Sequence, residues 1–120
     1  MTALEISKLA TKALEEKKGI DIQVIEVVDK TILTDYFIIA TGANVPQIKA
    51  LADEVDEKLS KQGLEAKSIS GYQTAAWIIL DYGDVIVNVF SKETREFYNL
   101  ERLWADGKYI DINNLLQKSI

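Results

Sequence analysis

The run Tyr36-Phe37-Ile38-Ile39-Ala40 shows no apolar–polar alternation, and that constrains the chain more than any other feature. A strand with one wet face alternates polar and apolar side chains, whereas a strand apolar on both faces needs cover from both sides, as the central strands of α/β sheets have. The flanking sequence supplies such cover. Thr2 and Glu5 stand at capping-box spacing, and Ile6, Leu9, Ala10, Ala13 and Leu14 recur on one helical face until Lys17-Lys18-Gly19, which predicts a helix over about residues 3–17. Asn44 and Gln47 repeat the capping spacing with Pro46 in the first turn, and Ile48, Leu51, Ala52, Val55 and Leu59 carry a second helix to Gly63.

Between and after the helices the pattern reads as strands. Ile20-Asp21-Ile22-Gln23-Val24 alternates and runs on to Val28, residues 29–35 are a polar connection, and residues 64–69 can form a short strand. Residues 77–81 and 84–90 read as two strands joined by the pair Tyr82-Gly83. Ser91 can cap a helix containing Phe97, and Leu100-Glu101-Arg102-Leu103-Trp104 follows with an apolar helical edge. The segment after Asp106-Gly107 is ambiguous. At 120 residues the chain has the length of one domain. The expected fold is a single α/β domain, residues 1–107, with a mixed sheet of about five strands flanked by helices, a C-terminal β-hairpin followed by helix, and a tail at 108–120.

Composition bounds the chemistry. The chain contains neither Cys nor His, which removes thiol nucleophiles, imidazole acid–base catalysis, disulfides and zinc sites built from sulfur or imidazole. Any metal would be a hard, oxygen-ligated ion such as magnesium. A net charge of −5 has the wrong sign for seeking phosphate backbones and favours basic proteins as partners. The N-terminal residues lack a basic segment followed by a long apolar run, and no stretch approaches the roughly 18 apolar residues of a membrane span. A soluble cytoplasmic protein that binds neither membrane nor a specific nucleic-acid sequence is expected.

The hairpin carries the functional signal. If Tyr82-Gly83 is a two-residue loop, Asp81 faces Asp84, Ile79 faces Ile86 and Trp77 faces Asn88 on one side, while Ile78, Leu80, Val85, Val87 and Val89 form an apolar core side. A face mixing Trp, Ile, Asn and carboxylates suits a partner, since aromatics anchor interfaces and polar groups fix orientation. The same residues admit a structural reading, with Trp77 under the last helix and Asp81 and Asp84 closing the turn. They also admit a magnesium site on the two carboxylates. Thr41-Gly42-Ala43-Asn44, ahead of a helix N-terminus, could receive an anion. Asp53, Glu54, Asp56 and Glu57 could hold a cation or form a solvated acidic face. Tyr98, Leu100, Leu103 and Trp104 either extend the partner surface or belong to the core.

Three ordered blocks carry a family resemblance: Thr34-Asp35-Tyr36-Phe37-Ile38-Ile39-Ala40-Thr41-Gly42, then Trp77-Ile78-Ile79-Leu80-Asp81-Tyr82-Gly83-Asp84-Val85, then Phe97-Tyr98-Asn99-Leu100-Glu101-Arg102-Leu103-Trp104. Over roughly residues 4–106 the chain closely resembles the ribosomal silencing factor (RsfS, Iojap) family. The resemblance implies a nucleotidyltransferase-like fold without catalysis or cofactor. It also implies binding to the large ribosomal subunit through its protein fourteen (uL14 type) and a block of small-subunit joining when nutrients are short. The partner surface it implies, joined to the hairpin face, is Trp77, Ile79, Asp81, Tyr82, Asp84, Asn88, Tyr98, Leu100, Glu101 and Trp104, with Asp81, Asp84 and Glu101 pairing with basic side chains. Asn88 stands where His is frequent in that family, Ala76 where a larger or polar residue is common, and Ser70 where Glu often precedes Gly71. Nucleotidyltransferases carry a Gly-Ser turn followed by an Asp-x-Asp pair. Here the turn is Gly42-Ala43 and no Asp-x-Asp follows. The alternatives are a degenerate enzyme of that kind using Asp81 and Asp84 with magnesium, or an adaptor for another basic protein. The exposed apolar face could also pair the free protein as a homodimer.

Overall fold

The computed structural model describes residues 1–117. Among them, six strands form one mixed sheet in the order β3-β4-β5-β2-β1-β6: β1 (Ile20–Glu26), β2 (Tyr36–Thr41), β3 (Ser68–Ser70), β4 (Trp77–Asp81), β5 (Val85–Phe90) and β6 (Lys108–Ile110). The neighbours β2 and β5 are parallel, and every other pairing is antiparallel. The unbroken apolar run is therefore where covering from both sides requires it, at the centre of the sheet.

Helices α1 (Ala3–Glu16) and α2 (Val45–Lys61) start as their caps predict. Thr2 and Glu5 form a reciprocal capping box, and the Asn44 side chain accepts the Gln47 N–H at 2.9 Å. Their apolar stripes meet Val24, Ile38, Ala40, Ile78, Leu80, Val85, Val87 and Val89 in the main core. The other side of the sheet is more thinly covered. There Ile25, Val27, Ile39 and Phe90 are buried beneath Leu100 and Trp104, the first residue and the C-cap of a short helix, α4 (Leu100–Leu103), which follows α3 (Lys92–Tyr98) through Asn99.

Three expectations change. The segment after Gly107 is not a separate tail: β6 pairs with β1, and α5 (Ile112–Gln117) brings Leu115 into the main core. Residues 118–120 lie outside the described residues. The strand expected at 64–69 is shorter and later, at Ser68–Ser70. The hairpin register is displaced by two residues, with Trp77 opposite Phe90, Ile79 opposite Asn88 and Asp81 opposite Ile86. The cause is the position of the turn. Gly83 takes the left-handed φ of +83°, the Asp81 carboxylate accepts the Gly83 N–H at 2.8 Å, and Tyr82 pairs with Val85 instead of bridging the strands. A slip of two preserves which face each residue occupies. At the other end of β4, Gly71 has φ +80°, and a Cβ there would fall 2.0 Å from the Trp77 carbonyl oxygen, so the approach to Trp77 requires glycine.

Candidate docking face

On the thinly covered side, β4 presents Trp77, Ile79 and Asp81 and β5 presents Ile86, all half-buried. Trp77 is held in place from within. Its Nε1–H donates to the Asn88 side-chain oxygen at 3.0 Å, and the Asn88 amide in turn donates to the Ile38 carbonyl at 3.3 Å. A chain of rings runs outward from it: Phe90 at 5.8 Å from Trp77 between centroids, Tyr98 at 4.8 Å on the other side, and Phe97 edge-on to Tyr98 at 5.0 Å. Separately, Trp104 meets Phe37 at 5.6 Å. Phe97 and Leu103 are 80% and 66% exposed and, with Tyr98 and Arg102, line a shallow groove continuous with the ring chain.

The ten candidate residues divide. Trp77, Ile79, Asp81 and Tyr98 stand on or beside this face, with Asp84 exposed at the hairpin tip. Leu100 and Trp104 are half-buried against the sheet. Three positions are engaged within the protein. Tyr82 is 4% exposed on the opposite, helix-covered side, where its hydroxyl donates to Asp56 at 3.0 Å. Burial, reinforced by the Asp56 carboxylate, pushes its phenol well above the ordinary value. Asn88 is on the expected face but only 1% exposed, because the Trp77 indole covers it. Glu101 is half-buried at the rim of a neighbouring cleft, where it accepts from Arg95 Nε at 3.0 Å. Phe97 and Arg95 were not among the candidates. Phe97 lies on a helix too short to show an apolar period, and Arg95 finds its carboxylate six residues on, a spacing no helix predicts.

The other candidate sites separate from this face. Asp81 and Asp84 are not cross-strand partners, and Asp81 is engaged in bracing the turn. Among the described residues no group of three or more Asp or Glu could hold a metal ion. A cleft of about 660 Å³ does open beside Thr41, Gly42 and Ala43, at the carboxyl ends of the parallel pair. Its lining sets Asp21, Glu93, Glu96 and Glu101 against Lys92 and Arg95, a balance unfavourable to a phosphate. The Ala43 and Gln47 N–H groups at the helix entrance are already taken by the Gln47 and Asn44 side chains. Among the described residues no helix is long and apolar enough to cross a membrane.

Comparison with known proteins completes the picture. A family model described as ribosomal silencing factor during starvation matches residues 1–120, including the segment beyond Gly107. The ribosomal silencing factor RsfS of Halalkalibacterium halodurans is 34% identical over 116 residues, 97% of this chain and 99% of that protein. A crystal structure of a Chromobacterium violaceum protein shares 40% identity with a TM-score of 0.85, covering 88% of each chain. The mouse mitochondrial assembly of ribosomal large subunit protein 1 is 32% identical over 103 residues, 82% of this chain and 44% of that protein.

Proposed function

The chain belongs to the ribosomal silencing factor family, and from that membership we propose that it docks on the large ribosomal subunit through protein fourteen and blocks small-subunit joining when nutrients are limiting. A ribosome-associated silencing role follows from the family. The observation that supports the finer reading is the half-covered sheet face, where a braced Trp77 continues into Tyr98, Phe97 and Leu103. Aromatic anchors held rigid from behind lose little freedom on binding. Asp81 and Asp84 flank that face and, with the net charge of −5, suit a basic ribosomal protein. Silencing of this kind is steric, so it calls for a binding surface and no chemistry, in line with relatives named as silencing factors and not as enzymes. The cytoplasm is the compartment this reading requires. In the free protein the same face is available to a second copy, which sedimentation of the free protein at rising concentration measures.

The test is co-sedimentation with isolated subunits and a joining assay. The protein should pellet with large and not with small subunits, and its addition before small subunits should lower the yield of joined ribosomes. Equal recovery with both particles, or normal joining at saturating protein, refutes the reading. Large-subunit binding retained on particles stripped of protein fourteen would point to a different docking partner.

A further inference from the structure

Arg95 is a buried cation that the docking face does not use. It sits on α3, 7% exposed, and its guanidinium reaches three other elements. Nε donates to Glu101 of α4 at 3.0 Å, and Nη1 donates both to the Asp21 carbonyl in the irregular part of β1 at 2.8 Å and to the Thr41 hydroxyl at the end of β2 at 2.9 Å. Nη2 lies 3.4 Å from the Asp21 carboxylate. The backbone bends around this cluster at a cost: Asp21 and Asn99, neither a glycine, hold left-handed φ angles of +49° and +48°. Such conformations persist where the surroundings over-determine them.

What the cluster holds is the strap that completes the docking face. Helix α4 has four residues, too few to be stable by itself. Beyond the packing of Leu100 and Trp104, it is fixed by the Glu101 side chain on Arg95 and by the Glu101 carbonyl, which accepts from the Tyr109 hydroxyl at 3.2 Å. We propose that Arg95 is a positioning residue for docking: through Glu101 and the Asp21 carbonyl it holds residues 92–104 against the sheet, so that Tyr98 stands against Trp77, with Phe97 and Leu103 beyond it, before the partner arrives. Glu101 then works inside the protein and does not meet a partner's cation. A planar guanidinium can serve these divergent acceptors at once, which a lysine ammonium on a flexible stem cannot. The inference rests on the docking reading above for its consequence, and on the free protein for its geometry.

The experiment uses the full chain with Arg95→Met, Glu101→Gln and the double variant, in two measurements. Hydrogen exchange on the free protein should quicken across residues 92–104 in Arg95→Met while the buried amides of α1 and α2 keep their wild-type protection. Unchanged exchange in the strap overturns the tether. Affinity for isolated large subunits should fall about tenfold in Arg95→Met and several-fold in Glu101→Gln, with the double variant no weaker than Arg95→Met, because both changes break one interaction. Additive losses, or a Glu101→Gln loss that vanishes at high salt, mean that Glu101 meets the partner directly and overturn the assignment. Arg95→Lys replaces Arg95→Met if the latter fails to fold, with the same non-additivity expected. Wild-type protein that does not bind large subunits defeats the docking reading and the positioning role with it, while the exchange measurement still decides whether the tether exists.

Discussion

At the scale of single residues, several polar groups inside this protein act as braces. Tyr82 shows it most clearly, buried beneath α2 with its hydroxyl on Asp56. Its folded-state phenol titrates above the ordinary 10.0, first because burial disfavours the phenolate and then because Asp56 repels it. The neutral phenol is therefore the form that folding favours, so its contribution is complete below pH 10 and is lost as pH rises beyond it. Denaturant unfolding between pH 9 and 12 should show stability falling above pH 10, with Tyr82 supplying up to about 1.4 kcal/mol per pH unit of that slope. Tyr82→Phe should flatten the slope and cost about 1 kcal/mol at neutral pH for the lost hydrogen bond. Identical slopes in the two proteins would show that Tyr82 is not the titrating group. Asn88 braces in the same way: its amide links the Trp77 indole to the Ile38 carbonyl, so Trp77 is held through a residue that is itself buried.

At the scale of elements, the segment after Gly107 is the largest change from the sequence pattern, and it is structural. Deleting residues 108–120 removes the antiparallel cover on β1 and the Leu115 side chain from the core. The loss should be at least about 2 kcal/mol from Leu115 alone, lowering the melting temperature by roughly 8 °C or more. A truncated chain that melts with the full one would make β6 and α5 mere appendages. The contrast with α1 and α2 explains what was legible. Those helices announce themselves through Thr2 with Glu5, Asn44 with Gln47, and long apolar stripes, all local signals. The sides of β4 and β5 were legible because alternation assigns them. Their register was not, because it depends on which residue occupies the turn, and burial of Tyr82 on α2 moves the turn to Gly83-Asp84. Lys108-Tyr109-Ile110 is too short for any period to show. Glu101 was legible as a carboxylate near the face but not as an internal one, since only the left-handed turn at Asn99 brings it back to Arg95.

At the scale of the whole molecule, the docking proposal divides recognition between charge and apolar surface. With −5 overall and Asp84 exposed at the hairpin tip, long-range attraction to a basic partner would be screened over about 8 Å at physiological ionic strength, whereas apolar contacts made through Trp77 and Tyr98 would not. Large-subunit affinity should therefore fall as salt rises. Asp84→Lys should weaken it by about tenfold at low salt, with a shallower salt dependence. Affinity indifferent to both salt and charge reversal would remove Asp84 from the interface. A molecule with an uncovered apolar face also has to survive unbound at high concentration without joining others of its kind edge to edge. Both margins of this sheet end in strands of three residues, Ser68–Ser70 and Lys108–Ile110. Margins that short offer too few free backbone groups to template the growth of a continuous sheet from chain to chain. The sheet can leave part of an apolar face bare because its short borders give a fibre little to begin on.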